Sequence, residues 1–221
     1  MYNELIFLLH VVLVGIGALC ATAFGQNALV AYISVQAILA NLFVTKQTIL
    51  FGMHATCSDA FMIGAVLSLN ILQEYYGQQR ARSAIWISFG LLIFYTLAAQ
   101  IQLWYIPSSV DTMHAFFVAI LSPMRRLTIA SLTVYVLVQH LDAWLYGLFK
   151  AHWKIRYLVM RNYASIAITQ FFDTILFSFL GLYGIIHNVG HIILVSYCIK
   201  LCAIILVTPF IAFSHKLMRK Q

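Results

Sequence analysis

Charge is what this sequence has least of. Only 9% of its 221 residues are Asp, Glu, Lys or Arg and 63% are hydrophobic, whereas an ordinary globular domain has about 25% charged and about 45–50% apolar residues. Thirteen Lys+Arg and six Asp+Glu cannot coat the water-facing surface of a chain this long, so a soluble single domain is excluded. The same composition excludes a disordered chain, a disulfide scaffold and a DNA-binding domain. Catalytic signatures are missing as well. There is no HExxH, no GxSxG, no helix with paired Glu residues and no phosphate-cradling Gly-rich loop, so the chain reads as a non-enzyme, and any use of ATP would need another subunit. CxxC spacing is absent too. Cys20, Cys57, Cys198 and Cys202 lie in or near apolar segments, and the one pair a helical turn apart, Cys198 and Cys202, has no second ligand pair beside it. They read as buried thiols, with no metal and no cofactor.

What is present in quantity is apolar length. The 41 residues from Leu5 to Thr45 carry no charge, and as one helix they would extend about 60 Å against a hydrocarbon core of about 30 Å, so the run should fold back on itself inside a bilayer. Cutting the chain at its charges and turn residues gives seven candidate spans, roughly 5–24, 28–45, 50–76, 83–106, 126–149, 163–186 and 190–213. The expectation is an all-α polytopic transmembrane helix bundle of six to seven spans. The third span carries Asp59 and Glu74 and is long, so it is expected to tilt or to begin as a re-entrant or broken segment; if it does not cross fully, the count is six. Ala21-Thr22-Ala23 resembles a signal-peptide cleavage site, but Glu4 stands where a basic n-region belongs, so this stretch is read as a helix.

The net charge of +7 is distributed between the apolar runs, where it orients helices rather than binding nucleic acid. With seven spans, Lys46, Arg125 and Arg126 fall on the side of the N-terminus. Arg80, Arg82, Lys150, Lys154, Arg156, Arg161, Lys216, Arg219 and Lys220 fall on the other. Nine against three puts the C-terminus in the cytoplasm.

Ionisable side chains within spanning helices cost about 2.5–3.5 kcal/mol each on insertion scales and need a partner or a water-filled cavity. Asp142, Asp173 and Lys200 lie within spans and Glu74 near the end of one. Asp173 and Lys200 could be a mutual ion pair, and at least one carboxylate could also face a cavity. Asn41, Asn70, Gln100, Gln102, Gln139, Gln170 and Ser165 add groups suited to a planar, nitrogen-rich ligand: a carboxylate accepts two adjacent N–H bonds, an amide serves a neighbouring carbonyl, and an aromatic ring covers the flat face. Gln139-x-x-Asp142 and Gln170-x-x-Asp173 repeat one spacing in adjacent spans, which would set an amide and a carboxylate side by side on each helix. A haem-binding membrane cytochrome subunit is the rival reading, from His10, His54, His140 and His191.

The order and spacing of several stretches resemble the queuosine precursor transporter family, also called the vitamin uptake transporter family. They are Asn70-Ile-Leu-Gln-Glu74-Tyr-Tyr76-Gly77, Pro107-Ser108 with Asp111, Arg126 before Ala130-Ser131, Gln139-x-x-Asp142, Arg161-Asn162, Gln170-x-x-Asp173-Thr174, Lys200 and Pro209. Asn70, Tyr163 and Ile166 depart from the family pattern, which has Asp, Asn and Thr there, and an acid lost at position 70 bears on how a cationic base is accommodated.

The resemblance implies an importer of 7-deazaguanine bases (preQ0, preQ1 or queuine) for tRNA queuosine salvage, in a bacterial cytoplasmic membrane. Its partners would be that small base and the lipid bilayer, with no nucleic acid; a homo-oligomer is left open. A substrate-binding subunit of an ATP-driven vitamin importer is a further alternative. The whole of 1–221 is expected to be one transport domain, with 5–24 peripheral to a core of about 28–213. The candidate binding residues are Asn41, Asn70, Glu74, Gln100, Gln139, Asp142, Gln170, Asp173 and Lys200.

Overall fold

The computed structural model describes residues 2–152 and 158–202; the side chains of Glu74, Gln139 and Asp142, among others, are outside the described set. Helix α1 (Tyr2–Ala23) turns back at Gly25 into α2 (Gln26–Phe43), which divides the long charge-free run as its length required. Next come two short strands, β1 (Gln47–Leu50) and β2 (Met53–Thr56), and then α3 (Asp59–Tyr76). Gly77, at φ +84°, ends α3 and starts α4 (Gln78–Trp104) with no intervening loop. A short α5 (His114–Leu121) leads into α6 (Met124–His152). Then α7 (Leu158–Phe177) runs on through a π-helical turn, Ser178–Leu182, before α8 (Val189–Cys202).

Tyr2–Ala23, Gln26–Phe43, Gln78–Trp104 and His114–Val138 are each long and apolar enough to cross a membrane, and the architecture is an all-α membrane helix bundle. Asp59–Gln73, Ala167–Leu182 and Val189–Cys202 are shorter apolar stretches, and they carry Asp59, Asp173 and Lys200. The third expected span does begin with a break: 47–56 is an antiparallel hairpin in which Leu50 pairs with Met53, and only then does the helix start. Its two-residue turn, Phe51-Gly52, has positive φ at both positions (+52° and +77°), the geometry that matches the twist of the flanking strands. The N-terminus of α1 pins this turn: Glu4 Oε1 accepts from the Phe51 N–H at 2.9 Å, and Asn3 Nδ2 donates to the Ile49 carbonyl at 3.1 Å.

Helix α4 shows how such a sequence packs without water. Ala81, Ala84, Ser88, Leu92, Thr96 and Ala99 form its buried stripe, while Trp86, Ile87, Leu91, Phe94, Leu97 and Ile101 are exposed. Small and hydroxylated residues face the bundle and bulky apolar ones face outward, because lipid tails solvate a Leu as well as the protein interior does and only close packing and hydrogen bonds favour helix contact. The Ser34 and Ser88 hydroxyls join α2 to α4 at 3.0 Å, and those of Thr96 and Thr128 join α4 to α6 at 2.7 Å. At the interface of α1 and α2 the Tyr32 ring lies directly over Gly17 and its hydroxyl donates to the Val14 carbonyl at 2.8 Å.

Two apolar clusters close the hairpin end. Leu50, Ala55 and Ile63 pack on Val195 and Ile199 of α8, with Phe7 and Val11 of α1 against them. Val44 joins Leu127, Leu182, Ile186 and Ile192. The start of α8 is thereby wedged against α3, the hairpin and the π-helical turn.

Candidate functional site

Helix spacing puts Gln170, Asp173 and Thr174 on one face of α7 and Ser196, Tyr197 and Lys200 on one face of α8. These faces meet. Lys200 Nζ donates to Asp173 Oδ2 and, at 3.0 Å, to Thr174 Oγ1, so the expected ion pair forms. The two side chains are 14% and 26% exposed, which leaves one edge of the pair open. One turn away, the Tyr197 hydroxyl donates to the Ala167 carbonyl at 3.3 Å and its ring stands edge-on to Phe171, centroids 5.1 Å apart.

One turn before Lys200 on α8, Ser196 Oγ donates to Asp59 Oδ2 at 3.0 Å. Asp59 is the first residue of α3 and is 4% exposed. Its carboxylate gains from the free N–H groups of the helix start as well as from Ser196. Thus α8 stands between two carboxylates, one on α3 and one on α7. His191, in the first turn of α8, and His54 of β2 place their rings 6.0 Å apart at 22°.

The remaining amides are dispersed. Asn41 is buried at 6% exposure, and its Oδ1 has no hydrogen-bond partner among the described residues. It sits seven residues after Ser34 and therefore on the same face of α2, towards α4. Gln100 is occupied differently: its Nε2 donates to the Leu121 carbonyl at 2.8 Å and ties α4 to the end of α5. Asn70 is half-buried on α3. Glu74 lies on α3, and Gln139 and Asp142 on α6, but their side chains are outside the described residues, as are those of Arg161, Asn162 and Ser165. Lys154, Arg156 and Pro209 also fall outside them. Asp173 and Lys200 are therefore the candidate residues that touch at the junction of α7 and α8, with Gln170 one turn before Asp173 on the same face of α7.

Two buried polar residues were absent from the candidate set, and one of them, Asp59, belongs beside the junction of α7 and α8. Asp59 was visible as a charge inside the third span, but only the return of α8 against the start of α3 gives it a role. Gln36 was one more amide in a charge-free run; it is 3% exposed, its Oε1 has no partner among the described residues, and its Cδ lies 3.2 Å from where a Cβ on Gly64 would stand. Arg126 carries a different task. Its Nε donates to the Leu180 carbonyl at 2.8 Å, satisfying a backbone group in the π-helical turn that follows α7.

A family model described as "Putative vitamin uptake transporter" matches residues 56–214, the stretch from the end of the second strand onward that contains both carboxylates and Lys200. The chain belongs to the vitamin uptake transporter family. It is 32% identical over 200 residues to a "Probable queuosine precursor transporter" of Bacillus subtilis (strain 168), covering 88% of this chain and 86% of that one. No solved structure matches it. As a vitamin uptake transporter it is an integral membrane protein that moves a small molecule, and the charged junction of α7 and α8 lies within the matched region.

Proposed function

We propose that this transporter imports a queuosine precursor, a 7-deazaguanine base, across a bacterial cytoplasmic membrane, with its C-terminus in the cytoplasm and seven spans, and that it is not an enzyme. The observation that carries the reading is the partly open Asp173–Lys200 pair beside Gln170 and Thr174, in a chain whose relative is named for that cargo. The base presents adjacent N–H donors, a carbonyl and a flat face. A carboxylate accepts the paired donors, an amide such as that of Gln170 serves the carbonyl, and a ring such as Phe171 or Tyr197 covers the face.

The set proposed for the cavity is Asn41, Asn70, Glu74, Gln100, Gln139, Asp142, Gln170, Asp173 and Lys200, with the Gln-x-x-Asp pairs of α6 and α7 as its centre and Gln100, whose Nε2 holds the Leu121 carbonyl, contributing through its Oε1. The chain acts as one transport domain, in which α1 is peripheral and the rest forms the core. Expression in cells lacking both precursor synthesis and their own importer tests this. PreQ0, preQ1 and queuine are fed separately and queuosine in tRNA is measured. Restoration by at least one base, lost in Asp142→Ala or Asp173→Ala variants that still reach the membrane, is the expected result. Failure of all three, with a salvage enzyme present for each, rejects the substrate class.

A further inference from the structure

Lys200 has one ammonium and two carboxylates to choose between. Asp173 holds it. Asp59, from α3, receives Ser196 Oγ one helical turn from Lys200 on the same face of α8, so its carboxylate lies on the side of the helix that carries the ammonium. Among the described residues no cation touches Asp59, although it is almost wholly buried. A carboxylate in that position is costly without a counter-charge, and the Ser196 bond and the helix start offset only part of the cost. A lysine side chain has four rotatable carbons and can swing its charge between neighbours without moving the helix.

We propose that Asp59 is the second seat of the Lys200 ammonium, and that a base binding at Asp173 displaces Lys200 from α7 onto Asp59 on α3. This rests on the reading of Asp173 as a base-binding carboxylate. The exchange keeps the ammonium paired whether or not the cavity is filled. It also makes occupancy readable at α3, because the ion pair then joins α8 to α3 instead of α7. Asp59 is in this scheme a positioning residue. It does not touch the base and acts only through Lys200.

The consequence is a thermodynamic coupling that a plain structural role for Asp59 would not produce. In D59N the displaced ammonium has no seat, so the base must leave it stranded, and affinity falls at least tenfold. In a K200M background no ammonium is displaced, so adding D59N changes affinity less than threefold. Binding of preQ1 and preQ0 to purified protein in lipid nanodiscs, for the wild type, D59N, K200M and D59N/K200M, measures the cycle. Equal losses from D59N in both backgrounds, or no loss in either, overturn the proposal.

If D59N is not recovered from the membrane, a measurement on the unmutated protein decides. Carbon–nitrogen dipolar couplings between Asp Cγ and Lys Nζ are recorded with and without base, with K200M identifying the Lys200 signal. Transfer of its coupling from Asp173 to Asp59 on base addition is expected; an unchanged coupling to Asp173 in the bound state overturns the relay. The parent reading fails separately. If neither base binds the wild type, both ideas fall, whereas binding that D173N weakens while the Asp59 cycle is additive removes the relay alone.

Discussion

Lys200 of α8 and Asp173 of α7 are joined by an ion pair that a second bond, from the same ammonium to the Thr174 hydroxyl, holds in place. Removing one charge from such a pair leaves the other desolvated, a larger loss than the pair contributes net. Asp173→Asn is therefore expected to lower stability by on the order of 3 kcal/mol and to abolish uptake. Asp142→Asn is expected to spare folding more than uptake. Melting temperature and yield after detergent extraction separate the two effects, and intact transport in both single variants would dispose of the cavity assignment.

The contact of Tyr32 with Gly17 sets a steric limit on how α1 meets α2. A Cβ at position 17 would fall within 2.9 Å of three atoms of the Tyr32 ring and hydroxyl. Gly17→Ala must push the ring away and break its bond to the Val14 carbonyl, at a cost of about 1–3 kcal/mol. Tyr32→Phe removes only the hydroxyl and should cost about 0.6 kcal/mol. The decisive check is thermal unfolding of the double variant Gly17→Ala with Tyr32→Leu. Its loss should be smaller than the sum of the separate losses, since the obstructing ring is gone.

Gly64 performs the same service beside Gln36. A methyl group there would meet Val14 Cβ at 3.0 Å and the Gln36 amide at 3.2 to 3.3 Å, where α1, α2 and α3 converge. Gly64→Ala is expected to destabilise by about 1–3 kcal/mol, and Gly64→Ala combined with Gln36→Ala to recover part of it. No recovery would mean that the strain lies against Val14 rather than the amide.

Much of this architecture was legible in the residues, and the parts that were not share a physical cause. Apolar length required Leu5–Thr45 to fold back and the turn residues at Gly25 placed the break, while cost arguments paired Asp173 with Lys200, because both depend on short stretches of chain against a known solvent. The break at the start of the third span was readable from its length and charge, but not its form. A hairpin needs Phe51 at a positive φ, a conformation that propensity argues against, and Glu4 offsets that strain from another element. Asp59 was visible as a charge and invisible as a partner for the same reason: Ser196 is 137 positions away. Gln100 had the composition of a ligand-reading amide and was found bonded to a backbone carbonyl, the common fate of an amide in a spanning helix.

The hairpin gives a way to test the membrane orientation from both ends. Asn3 and Glu4 bond to Ile49 and Phe51, so the hairpin lies at the end of the bundle where α1 begins. On the orientation proposed from the charge balance of nine against three, that end lies outside and Lys154 on the cytoplasmic side. In a variant whose four native cysteines are replaced, Gln47→Cys, which is exposed on β1, should react with a membrane-impermeant maleimide in intact cells. Lys154→Cys should react only after the membrane is opened. The reverse pattern would invert the protein. Labelling of both sites from outside would instead show that an odd number of crossings does not separate residue 47 from residue 154, and would favour a bundle in which one of the segments between them fails to span.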